Sequence, residues 1–188
     1  DRALHIMVQI ARGVARAHDL DIIHRDIKPE NIFLVRRDDG SDLVKVLDFG
    51  IAKSRQDSRL TTQGELFGTP QYMAPERITG KDTGGSSDIY ALGVVFFEIL
   101  TGELPFTAPD VATFFIKHME ETPRPTRSLN TRVPEALDDL VRRMLAKSPA
   151  DRPVDAHRIH QDLVTVINER EAAPPPSAAL PAPPAEYG

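Results

Sequence analysis

The stretch from His24 to Asn31, HRDIKPEN, sets a carboxylate, an ammonium and an amide at short fixed offsets. A second carboxylate, Asp48, stands before Phe49-Gly50, seventeen residues after the amide. These residue types suit phosphoryl transfer from a metal-bound nucleotide, a reaction in which protein groups position a hydroxyl, hold metal and neutralise charge. Asp26 can accept the proton of an attacking hydroxyl, and Lys28 brings a positive charge near the transferred group. Asn31 can ligate a metal through its amide oxygen, and Asp48 offers the hard oxygen that Mg²⁺ prefers.

The elements around these residues follow from local patterns. Leu4, Val8, Ala11, Val14 with Ala15, and His18 recur at three- and four-residue steps, which predicts an amphipathic helix ending near Asp19. His18 reads as a packed helix histidine, with no second ligand at metal spacing beside it. Ile32 to Val35 and Leu43 to Leu47 are short apolar runs about the polar turn RRDDGSD, a predicted hairpin. That hairpin brings Asn31 and Asp48 to the same end of one rigid element, and Lys45 reads as an exposed strand residue. The polar loop after Asp48 carries Ser54, Ser58, Thr61 and Thr62. Arg25 can pair with a phosphate on that loop and order it, although ordinary loop hydroxyls explain the composition equally well. From Asp88 through Leu100 the residues are almost wholly apolar up to Gly102, which predicts a helix buried on every side. Val111 to Met119, Glu135 to Lys147 and Asp155 to Asn168 read as further helices.

HRDIKPEN, DFG, GTPQYMAPE and SDIYALGVVFFEILTGELPF, in this order and spacing, resemble the C-terminal lobe of a eukaryotic-type protein kinase. The wording QYMAPE and DIYALGVVFFEILTGELPF is most similar to bacterial members. The resemblance covers residues 1 to about 168 and implies a mainly α fold with a small β-hairpin. It implies a serine/threonine enzyme, from Lys28, that moves the γ-phosphoryl of ATP to protein hydroxyls in signal transduction. Asp26, Lys28 and Thr69 would then be catalytic, with Asn31 and Asp48 holding Mg²⁺ and the nucleotide; the Thr69 hydroxyl would bridge Asp26 and Lys28. By the same resemblance His24 stacks beneath Phe49, Asp88 holds the catalytic-loop backbone, and Glu76 pairs with Arg152 of ADRP.

With 188 residues the chain can bury a sizeable core, expected over 1–168, with a Pro/Ala-rich tail or linker over 169–188. That tail lacks the flanking Arg or Lys of an SH3-type ligand. A net charge of -5 argues against nucleic acid, and the absence of cysteine fits a reducing, cytoplasmic setting. The run from Ala91 to Phe97 is far short of the roughly 20 residues that span a bilayer, so no spanning segment is expected, although members of this kind are often membrane-tethered. No Gly-x-Gly occurs, so the phosphate-covering loop and strand Lys of an N-terminal lobe are expected to be absent. The chain alone is then expected to be inactive, or to need a separate lobe or a kinase dimer partner. The rival expectation is a non-catalytic interaction module, against which the intact Asp26, Asn31 and Asp48 argue.

Overall fold

A computed structural model describes residues 2–49, 69–81 and 84–172. Gly50, the hydroxyls of Ser54, Ser58, Thr61 and Thr62, and the tail from Ala173 lie outside the described residues. The amphipathic helix α1 (Arg2–His18) buries Leu4, Met7, Ile10, Ala11, Val14, Ala15 and Ala17, the face that three- and four-residue spacing produces. Arg16 and His18 sit in its last turn, where cations complement the helix dipole. Strands β1 (Ile32–Arg36) and β2 (Asp42–Val46) pair antiparallel, with Ile32 opposite Val46 and Phe33 opposite the exposed Lys45. Gly40, at φ 80°, and the Asp39 carboxylate accepting from the Ser41 amide form the turn. Gln9 fastens α1 to β2, donating to the Asp42 carbonyl at 2.9 Å and accepting from the Val44 amide at 3.1 Å. The hairpin is thereby anchored to the first helix and not left as a free ribbon.

The short α2 (Pro75–Ile78) precedes α3 (Gly84–Thr101), whose residues Ser87 to Phe97 are all buried. Expected to begin at Asp88, α3 starts one turn earlier, so Asp88 lies inside the helix. Its Gly-Gly-Ser-Ser start looks like loop by propensity, but tertiary packing overrides that weak preference. A Cβ on Gly85 would lie 2.9 Å from the His18 ring, and Ser87 is buried against Glu76. Helix α3 ends at Gly102, φ 78°, whose amide donates to the Glu98 carbonyl.

Helices α4 (Val111–Glu120), capped by Asp110 accepting from the Thr113 amide, and α5 (Thr126–Leu129) lead into α6 (Glu135–Met144) and α7 (Ala156–Ala172). Helix α6 ends at Met144, short of the expected Lys147, and the carbonyls of Ala146 and Lys147 accept from Arg152. Helix α7 continues four residues past the expected end at Asn168, since nothing in INEREA breaks it. Helices α1, α3, α6 and α7 enclose the main core, which includes Met7, Leu92, Phe96, Leu140, Met144 and Ile159. Gly93 lets α6 approach: an added Cβ would stand 2.9 Å from that of Met144. Among the described residues, no helix is long and apolar enough to cross a membrane.

Candidate active site

The loop between α1 and β1 is built on the buried carboxylate of Asp88. Its Oδ2 accepts from the His24 amide at 2.8 Å and lies 2.9 Å from His18 Nε2, while its Oδ1 accepts from the Arg25 amide at 2.8 Å. These bonds hold Arg25 at φ 66°, a left-handed conformation that costs a side-chain-bearing residue energy unless its surroundings fix it. The fully buried His24 ring shares a hydrogen bond between Nε2 and the Leu47 carbonyl at 2.9 Å, and Nδ1 accepts from the Asp26 amide at 3.3 Å. That pair of contacts defines a neutral imidazole protonated on Nε2. The ring sits 4.7 Å from Phe49, tilted by 48°, so the expected stacking is present in tilted form.

Asp26 is thereby presented beside the three-residue turn Pro29–Asn31, which opens on a proline whose fixed φ suits a helical start. Lys28 Nζ lies 3.1 Å from Asp26 Oδ2 and donates to Thr69 Oγ1 at 3.2 Å. The buried Asn31 uses its Nδ2 to donate to the Asp26 carbonyl at 2.7 Å and, more weakly, to Oδ2 at 3.4 Å. With the nitrogen so committed, the amide oxygen is the atom left for a cation. The Leu47 amide donates to the Asn31 carbonyl at 2.9 Å, extending the hairpin by one bond. Asp48 follows at once, at φ 57°, on an exposed turn, with no hydrogen-bond partner for its carboxylate among the described residues.

Asp26, Lys28, Asn31 and Thr69 therefore form one hydrogen-bonded set, and Asp48 is tied to it through the backbone of Leu47. Sequence reasoning took His18 for simple packing, whereas it contacts Asp88 from 70 positions away. It also gave no role to Tyr72 and Glu98, which hydrogen-bond at 2.8 Å and fix the Pro70–Tyr72 turn to α3. Burial, reinforced by the Glu98 carboxylate, pushes the Tyr72 phenol up from its ordinary range.

Behind that turn, the fully buried His118 of α4 shares a 2.8 Å hydrogen bond between Nδ1 and the Tyr90 hydroxyl. Burial and then the charge of Lys147 push His118 down from 6.5 to about 4, so the fold holds it neutral. The unfolded chain binds the proton more readily, so this stabilisation is complete above about 6.5 and is lost as pH falls toward 4. Between pH 7 and 5 His118 is expected to remove about 2 kcal/mol of stability. Urea midpoints measured over that range should fall in the parent and flatten in His118→Phe; equal slopes would refute this. His157, raised by its bond to Asp19, has the opposite sign but is solvent-exposed and screened.

Comparison with known proteins matches residues 1–164 to the family described as "Protein kinase domain". Over 186 residues the chain is 42% identical to the serine/threonine-protein kinase pkn3 of Myxococcus xanthus, covering 94% of this chain and 34% of that protein. It is 42% identical over 156 residues to PknD of Mycobacterium tuberculosis, covering 82% of this chain and 23% of the relative. For PrkC of Bacillus subtilis the identity is 38% over 167 residues, with 88% and 25% covered. Both are likewise named serine/threonine-protein kinases, and the chain spans about a third or less of the length of these relatives. A family match over most of the residues, together with a hydrogen-bonded set whose members are those of the family's motifs, has one conclusion: this chain belongs to the protein kinase family.

Proposed function

We propose that this chain carries the hydroxyl-activating and metal-holding part of a protein serine/threonine kinase that uses ATP and Mg²⁺. The observation that supports it best is the set joining Asp26, Lys28, Thr69 and Asn31 above the Asp88 carboxylate. Asp26 takes the proton of a serine or threonine hydroxyl as that oxygen bonds to the γ-phosphorus; the bond to the β–γ bridging oxygen breaks and ADP departs. Lys28 lies between Asp26 and Thr69, where its charge offsets that building on the transferred oxygens and its donors hold Thr69 in place. The His24 and Asp88 contacts fix the Asp26 backbone, so little reorganisation is needed at the moment of transfer.

The donor set fits Mg²⁺. Asn31 and Asp48 offer oxygen only, and one emerges beside the other at the hairpin end. Mg²⁺ at a nucleotide site is held by one or two protein groups, and these two residues would be that pair. Such an ion keeps several waters and takes its other ligands from phosphates, where it would neutralise charge on the nucleotide.

The test joins residues 1–188 to a protein-kinase N-terminal lobe and supplies ATP, Mg²⁺ and a generic basic protein. Transfer should yield phosphoserine and phosphothreonine and should fall sharply in Lys28→Met. Phosphotyrosine alone, or no transfer at all, would overturn the reading.

A further inference from the structure

Arg77 follows the ion-paired Glu76 in α2, and nothing in the motifs assigns it a task. Its guanidinium does not pair with its neighbour, because the Glu76 carboxylate is taken by Arg152 and Ser87. Instead its Nη1 donates to the main-chain carbonyl of Arg25. That carbonyl belongs to the left-handed residue immediately before Asp26. The strained turn is therefore gripped from two elements: Asp88 of α3 holds the amides of His24 and Arg25, and Arg77 of α2 holds the carbonyl. Burial lowers the Arg77 guanidinium from its ordinary range, while the charges of Asp88 and Asp26 oppose that shift. The partly buried cation is thus held by one carboxylate of α3 and one of the loop it supports.

Arg77 also borders a cavity of about 10 Å³ shared with Arg25, Asp26, Thr69 and Asp88. A space of that size takes on the order of one water. Two links meet at α2. Glu76 ties it to Arg152, and Arg77 ties it to the catalytic loop, while Thr69 at the start of the same segment bonds Lys28.

We propose that Arg77 is a positioning residue for Asp26: by holding the Arg25 carbonyl, it transmits the seating of segment 69–78 to the orientation of the base. The inference rests on the reading of Asp26 as the base. Arg77 touches neither reacting atom, so its loss should change turnover and leave binding alone.

In the lobe-joined polypeptide, Arg77→Met is expected to lower kcat about tenfold or more, with KM for ATP and for protein changed less than about twofold. Arg77→Lys, whose ammonium reaches nearly as far as the guanidinium and can donate to the carbonyl, should recover most of that loss. In the 188-residue chain, hydrogen exchange over residues 24–27 should quicken in Arg77→Met and stay near the parent in Arg77→Lys, a readout that needs no activity. If Arg77→Met fails to fold, Arg77→Leu takes its place, with the same losses expected. Unchanged kcat in a folded donor-less variant, an effect carried by KM, or unaltered exchange would each overturn the proposal. A parent whose transfer does not depend on Asp26 would instead overturn the functional reading beneath it.

Discussion

Asp48→Asn, in a polypeptide that joins this chain to an N-terminal kinase lobe, is expected to lower turnover by about a thousandfold while leaving the urea midpoint where it was. The substitution keeps volume and removes one charge from an exposed turn, so the core has no reason to respond. What it removes is the anionic oxygen beside Asn31, and a metal's stabilisation of transferring charge is worth several kcal/mol, of which each 1.36 is tenfold. The position is also specific in its backbone, since Asp48 sits at φ 57° just after the Leu47 bond to Asn31. Asp26→Asn provides the contrast. It too should abolish transfer, but its Mg²⁺-nucleotide affinity should stay near the parent's, because Asp26 faces Lys28 and Asn31 Nδ2. A Mg²⁺ titration of each variant separates them. Normal Mg²⁺ dependence and normal turnover in Asp48→Asn would remove Asp48 from the site.

Much of this arrangement was legible in the sequence because its parts are local. The α1 face, the hairpin and the placement of Asn31 and Asp48 at one end follow from periodicity and a turn of seven polar residues. What stayed hidden depends on contacts between distant positions. At the start of α3, Gly85 packs against His18, and a Gly-Gly-Ser-Ser string carries no trace of that packing. His18 looked like any apolar-face histidine because its carboxylate partner is 70 residues away. Arg77 was equally mute: a lone arginine after Ala-Pro-Glu gains meaning only when the fold brings the Arg25 carbonyl to it. The Glu76–Arg152 pair was reached through family resemblance, and the geometry bears it out at 2.7 and 2.8 Å.

That pair carries the largest expected effect on stability. The Arg152 side chain is fully buried, and that of Glu76 is 7% exposed. Arg152 donates both Nη groups to Glu76, its Nε to the Ala146 carbonyl at 2.8 Å, and further bonds to the carbonyls of Ser86 and Lys147. Its Cζ also lies 4.9 Å from the centre of the Tyr90 ring. Burial pushes the Glu76 carboxyl up, but the Arg152 hydrogen bonds, a backbone amide, the Arg152 charge and the Ser87 hydroxyl together more than offset it, so Glu76 ends below its ordinary range. Its charge-linked stability is therefore present above that range and lost as pH falls through the lowered value. Arg152→Met strands the Glu76 charge and orphans two carbonyls, so it should cost about 3 to 5 kcal/mol, much of a typical domain's stability. Adding Glu76→Met should restore only part of this, because the carbonyls of Ala146 and Lys147 remain unpaired. Function should fail before the fold does. Glu76 anchors the segment that begins at Thr69, so Arg152→Met should weaken transfer at temperatures where the helices are intact by circular dichroism. Urea unfolding of Arg152→Met, Glu76→Met and the double variant measures the coupling; a loss below about 1 kcal/mol for Arg152→Met would show that α2 is held by its apolar contacts alone.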